Sequence, residues 1–155
     1  MKKGLFWIGS VLILGVMAFE VLHKEDVLAA GQTVFLRLAP RDPRSLMQGD
    51  YMVLRYQVAD QLGDSIPSAG KIILRLDDKQ VGSYVALYDQ QDLEPDQILL
   101  RYKRRGEHVS LGAESFFFEE GQSKRFSPAF YGELKVAPTG DSILIGLRDA
   151  HLEKL

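Results

Sequence analysis

The chain contains no cysteine in its 155 residues. That absence excludes disulfides, thiol nucleophiles, iron–sulfur clusters and thiolate zinc sites together, while an oxidising compartment stays permissible. Histidine is scarce as well. His23, His108 and His151 stand alone, none with a second histidine at metal-ligand spacing, so solvated or hydrogen-bonded imidazoles are expected. The glycines are scattered at turns, with no phosphate-cradling loop among them. An excess of positive charge is missing too. The formal net charge is -2, and with Lys2 and Lys3 set aside 17 basic residues face 21 acids. Neutralising phosphates needs the opposite balance, so no nucleic acid is expected as a partner.

Acidic clusters give no clear site either. Asp89, Asp92, Glu94 and Asp96 lack the alternating ligands and central glycine of a calcium loop, which makes them a solvated connection. Glu119 and Glu120 are adjacent, and on a strand only one of them would enter a cleft. No cofactor is expected.

What the chain does have is 46% apolar content with 10% aromatic, enough for one packed domain. Its longest apolar run is Gly4 to Leu22, nineteen residues with Glu20 as the only charge. As a helix this run would extend roughly 28 Å, close to the hydrocarbon thickness of a bilayer. Lys2 and Lys3 precede it, which predicts a cytoplasmic N-terminus and a periplasmic remainder, in a bacterial inner membrane whose lipid residues 4–22 would contact. A cleavable signal peptide is the rival, with Val27-Leu28-Ala29 as a small-residue site before Ala30. His23, Lys24, Glu25 and Asp26 crowd that site, and the run is longer than export requires, so a retained anchor is preferred. Good helix formers continue to Ala30 and Gly31 ends them, dividing the chain into an anchor and stalk at 1–30 and a β domain at 31–155.

Beyond Gly31 short alternating runs predict strands near Thr33–Leu38, Tyr51–Val58, Lys71–Leu76, Val81–Tyr88, Gln97–Lys103, His108–Leu111, Ser115–Glu119, Glu133–Val136 and Ser142–Leu147. Turn residues at Asp77–Gln80, Arg104–Glu107 and Pro138–Asp141 would close hairpins. A helical turn is expected at Ser127–Tyr131. The expected fold is all-β, an antiparallel sandwich or partly closed barrel with one N-terminal transmembrane helix.

Within the second predicted strand, Met52, Leu54, Tyr56 and Val58 would face the core, with Tyr51, Val53 and Arg55 opposite. Gly49 and Asp50 turn the chain before it, and Asp42-Pro43-Arg44-Ser45-Leu46 reads as an earlier turn. Turn chemistry and packing account for all these residue types, with the tyrosine hydroxyls satisfied at the rim. The functional alternative makes Arg41, Asp42, Arg44, Asp50 and Tyr51 a surface that binds a partner. The run Gly49-Asp50-Tyr51-Met52-Val53-Leu54-Arg55-Tyr56, the preceding Asp-Pro turn, the N-terminal apolar segment and the closing Gly146-Leu147-Arg148-Asp149 together resemble the GDYXXLXY family of bacterial membrane-anchored proteins. The resemblance covers nearly the whole chain. It implies a multi-spanning membrane protein as partner, and the reading preferred here is a non-enzymatic domain that binds it.

A fainter resemblance is to type I signal peptidases, through Ser45-Leu46-Met47-Gln48-Gly49-Asp50, Tyr102-Lys103-Arg104 and the later Phe116 to Glu133 stretch. It implies a serine hydrolase, but Arg41 stands where the nucleophile belongs, so no catalytic residue is assigned. A periplasmic sensor of a small ligand is the third reading. Two surface features complete the picture. Arg101, Lys103 and Arg105 would alternate onto one strand face with Arg104 at the turn, a basic patch suited to anionic lipid or an acidic partner. Phe117 would point away from Phe116 and Phe118, marking an interface if that side of the sheet is open.

Overall fold

The computed structural model describes residues 2–39, 51–63 and 66–155, with side chains from residue 10 onward apart from His23, and Trp7 before it. Helix α1 covers Lys2–Ala30. It stops where Gly31 donates its backbone N–H to the Val27 carbonyl at 2.9 Å. A Cβ at Gly31 would lie 2.2 Å from that same oxygen, so only glycine fits this joint. The helix end is tied to the domain by the buried Val27 and by Lys135 Nζ, which donates to the Gly31 carbonyl. Among the described residues no helix is long and apolar enough to cross a membrane. The run expected to span begins at Gly4, ahead of the described side chains.

Strands β1 (Gln32–Arg37), β2 (Tyr51–Val53), β3 (Ala69–Leu76), β4 (Val81–Leu87), β5 (Gln97–Arg105), β6 (His108–Ser110), β7 (Ser115–Phe117), β8 (Tyr131–Val136) and β9 (Ser142–Arg148) follow, with a short helix α2 at Gln57–Asp60. Seven of them form one sheet in the order β6-β5-β3-β4-β1-β8-β9, curled into a half-barrel, while β2 and β7 make a separate two-stranded ribbon. The partly closed barrel is therefore the architecture, and the sandwich is not. Nor is the sheet purely antiparallel: β1 runs parallel to β4, with Phe35 opposite Val81 and Leu36 opposite Gly82. Parallel neighbours need a long crossover, and the chain between β1 and β4 supplies one through β2, α2 and β3.

The three expected hairpins form. Asp77 closes the β3–β4 turn by accepting the Lys79 and Val81 amides on Oδ1, each at 2.8 Å. Gly106 makes the β5–β6 turn, and Gly140 the β8–β9 turn, both at positive φ. The β5–β6 turn is tighter than expected, because Arg105 already pairs with His108; Arg104 thus belongs to the strand, opposite Val109.

Two β-bulges strengthen the curl. Between Ile73/Leu74 and Ala86/Tyr84 the residue Val85 is extra, and between Glu133/Leu134 and Gly146/Leu144 it is Ile145. Both bulged side chains turn outward and stay exposed. The inner face collects Val34, Leu36, Ile72, Leu74, Leu100, Tyr102, Leu134, Val136 and Leu147 as one core. Burying such side chains contributes about 1.5–3 kcal/mol each before chain entropy is counted.

The strand expected over Tyr51–Val58 is broken. It pairs only as far as Val53, then Tyr56 bridges Leu38 and α2 begins. Val58, in α2, and Leu62, just beyond it, both enter the core. The turn expected at Ser127–Tyr131 lies earlier, with backbone bonds from Phe126 to Ser123, Ser127 to Lys124 and Ala129 to Phe126. Tyr131 is instead the first residue of β8, paired with Arg37 and Arg148.

Candidate functional site

Of the residues expected to form a partner surface, Arg41, Asp42, Arg44 and Asp50 lie outside the described residues. Tyr51 is described, and it opens β2 opposite Phe117 of β7. Alternation along this ribbon sorts its side chains. Met52 is buried and Phe116 packs on the core, where the Phe116 and Phe126 rings meet edge to face at 5.0 Å and Phe118 adds a third ring at 5.3 Å from Phe126. On the other side, Tyr51 and Phe117 lie with ring centroids 5.8 Å apart, and Val53 stands beside them in the same strand. Phe117 is 73% exposed and Val53 60%. The ribbon thus presents a small apolar face to the outside.

The rest of the motif does architectural work. Leu54 donates its backbone N–H to the Glu114 carbonyl at 2.7 Å, and the Tyr56 hydroxyl donates to the Ala113 carbonyl at 2.7 Å. The Arg55 carbonyl accepts the Ala39 amide. These bonds staple the segment after β2 to the connection between β6 and β7 and to the end of β1. Tyr56 is fully buried, not at the rim as expected, because Gly132 leaves space for its ring. Burial first, and the charge of Glu114 second, push its phenol well above the usual tyrosine range.

Glu114 carries no local signal that would single it out in the sequence. Its carboxylate accepts the Leu111 and Gly112 amides and the Ser110 hydroxyl, closing the loop on which Tyr56 docks. Serine and glutamate are both common in solvated loops, so their spacing of four does not announce a clamp. Glu119 and Glu120 lie past the end of β7 rather than on a strand, and Glu119 accepts a bond from Gln122. Glu94 and Asp96 are both turned onto Arg75, at 2.5 and 3.1 Å. No group of three His, Asp or Glu residues able to hold a metal forms among the described residues.

The basic strand face is as expected. Arg101, Lys103 and Arg105 are exposed along β5, while Tyr102 between them is buried. Arg101 pairs with Asp141 at 3.1 Å. Arg104 faces the other way, and its Nη1 donates to the Gly106 carbonyl. Lys103, which the signal-peptidase resemblance sets in the place of a catalytic lysine, is exposed, whereas a Ser–Lys mechanism needs an amine walled off from water. Ser45 lies outside the described residues.

No curated protein and no solved structure matches the chain, and the likeness to type I signal peptidases gains no support from any comparison. The model of the GDYXXLXY protein family matches residues 13–147, which takes in the motif segment, every strand up to Leu147 and the latter part of α1. By that match, the chain belongs to the GDYXXLXY family.

Proposed function

We propose that this protein is a membrane-anchored, non-enzymatic binding domain that docks onto a multi-spanning membrane protein on the periplasmic side of a bacterial inner membrane. The observation that carries the reading is the outward face of the β2–β7 ribbon. Tyr51 and Val53 of the family motif, with Phe117 opposite, present apolar surface to solvent, although core positions exist on the other face of the same two strands. An aromatic pair on a short ribbon is a rigid anchor for a partner.

Support for the membrane part comes from the sequence and from α1. Residues 4–22 hold one charge, two lysines precede them, and the described side chains from Val11 to Leu22 are exposed around the helix with Phe19 at 69%. In water such a helix would be a severe liability; in lipid it is solvated. Residues 4–22 contact the bilayer in this reading, and the β domain lies outside the cytoplasm.

Two measurements test it. Alkaline phosphatase fused after Leu155 is active when the C-terminus is periplasmic, and an inactive fusion overturns the topology. Purification of the full chain from mild detergent yields a co-eluting multi-spanning protein that Phe117→Asp removes. An empty wild-type eluate across several mild detergents overturns the binding role.

A further inference from the structure

The C-terminal half of α1 packs on β8 and β9, and beside that contact a cleft of about 680 Å³ opens between the helix and β5. Lys24 borders it from the helix, and Arg101, Lys103 and Arg105 border it from the strand. Against these four cations stand two acids of the lining, Glu20 and Asp141. Asp141 pairs with Arg101 through Oδ1 and accepts the Thr139 hydroxyl on Oδ2, and among the described residues Lys24, Lys103 and Arg105 take part in no ion pair. A chain whose formal charge is -2 therefore gathers a local positive excess at one concave place. The cleft is also amphipathic: Phe19 and Leu111 contribute apolar wall next to the cations.

We propose that this cleft binds the phosphate of an anionic phospholipid headgroup. Successive same-face residues of a strand are about 6.7 Å apart, so Lys103 and Arg105 can close on one phosphodiester from two sides. Guanidinium and ammonium donors suit this chemistry, the first as a planar fork and the second as a point charge. Position selects the lipid over a soluble phosphate. The assignment rests on the proposed anchor: if residues 4–22 span the bilayer, Phe19 and Glu20 lie in the last turn of the span and Lys24 just beyond it. The cleft then opens at the level of the headgroups. Its apolar wall would receive the glycerol and upper acyl region while the cations hold the phosphate.

The test uses the full chain in detergent micelles doped equally with dioleoyl phosphatidylglycerol and dioleoyl phosphatidylcholine, with bound lipid counted by native mass spectrometry. The wild type retains the anionic lipid at least fivefold over the zwitterionic one. Lys103→Glu/Arg105→Glu brings the ratio to parity, and Lys103→Gln/Arg105→Gln gives an intermediate value; thermal melts of both variants match the wild type, since all four substitutions are on exposed positions. Equal retention of the two lipids by the wild type, or an unchanged ratio in the charge-reversed variant, overturns the site. Displacement of the anionic lipid by an equal concentration of inorganic phosphate overturns its assignment to lipid. Alkaline carbonate extraction of native membranes reads the anchor separately: if the wild type is stripped off, the anchor has failed, whatever the lipid ratio.

Discussion

Arg148 grips Glu133 with two parallel hydrogen bonds, Nε to Oε2 at 2.7 Å and Nη2 to Oε1 at 2.9 Å, across adjacent strands of the half-barrel. Glu133 is 7% exposed, the one charged residue buried so deeply among those described. Its neighbours explain how a carboxylate is tolerated there. Gly146 lies opposite it, and a Cβ at that position would meet Oε2 at 3.5 Å. The guanidinium also lies 5.8 Å from the Phe35 ring, and its Nη1 reaches the Leu152 carbonyl. The bond to Glu133, ahead of the opposing effect of burial, holds the Arg148 guanidinium above its ordinary range.

Breaking this pair from one side leaves a charge without a partner. Arg148→Ala is expected to cost about 3–5 kcal/mol in a urea melt of the full chain in detergent. Glu133→Gln/Arg148→Met recovers much of that loss, because neither charge of the pair remains. A double variant as unstable as Arg148→Ala alone would show that the strands depend on the residues' shape and not on the charge.

Tyr56 makes stability depend on alkali. Its phenol ionises near pH 10 in the unfolded chain, whereas burial raises it in the fold. The contribution is fully present below pH 10 and is lost as pH rises above it, because the unfolded chain gives up a proton that the native chain keeps. The slope is about 1.4 kcal/mol per pH unit for this one group. Tyr56→Phe removes that slope, leaving the smaller dependence from Tyr102, whose phenol burial also raises. At neutral pH the same variant strands the Ala113 carbonyl and costs about 1–2 kcal/mol. Parallel alkaline profiles for wild type and variant would contradict this.

Gly132→Ala tests the same ring from its other side. The new Cβ would lie 2.9 Å from Tyr56 Cε1 and 3.0 Å from its hydroxyl, so the ring must move. A loss of about 1–3 kcal/mol is expected by thermal melt. Combined with Tyr56→Phe, the cost is less than additive, since both changes forfeit the bond to Ala113.

Neighbouring phenylalanines of β7 are predicted to behave oppositely. Phe116→Ala opens a hole against Phe126 and Met52 and costs about 3 kcal/mol. Phe117→Ala changes stability by less than about 0.5 kcal/mol, because its ring is mostly in solvent. Urea midpoints of the two variants decide the matter.

Alternation is a good guide to the seven strands of the main sheet and to β7 of the ribbon. Eight strands lie within a few residues of their expected spans, and the outward turn of Phe117 and of Arg101, Lys103 and Arg105 follows from period two alone. It misled at Tyr51–Val58, where Met52, Leu54, Tyr56 and Val58 are all buried as expected but by a strand, a bridge and a helix in succession. Period two and period 3.6 both place residues four apart on one side, so Val58 and Leu62 cannot separate them locally. The parallel β1–β4 pair was equally hidden, since partner choice is a long-range property that neither strand's residues encode. Of the candidate site, Tyr51 was legible as outward-facing, whereas the Glu114 clamp depends on a loop closure that spacing does not reveal.

One residue, Gly31, separates α1 from β1, and β1 is paired on both flanks, along its whole length with β8. Any tension applied to the helix therefore enters the sheet at an interior strand and loads that ladder in shear, where all its rungs must fail together. Peeling strand by strand from a free edge is the weaker mode, and this connection avoids it. Load arriving through α1 is thus met by the whole β1–β8 ladder at once.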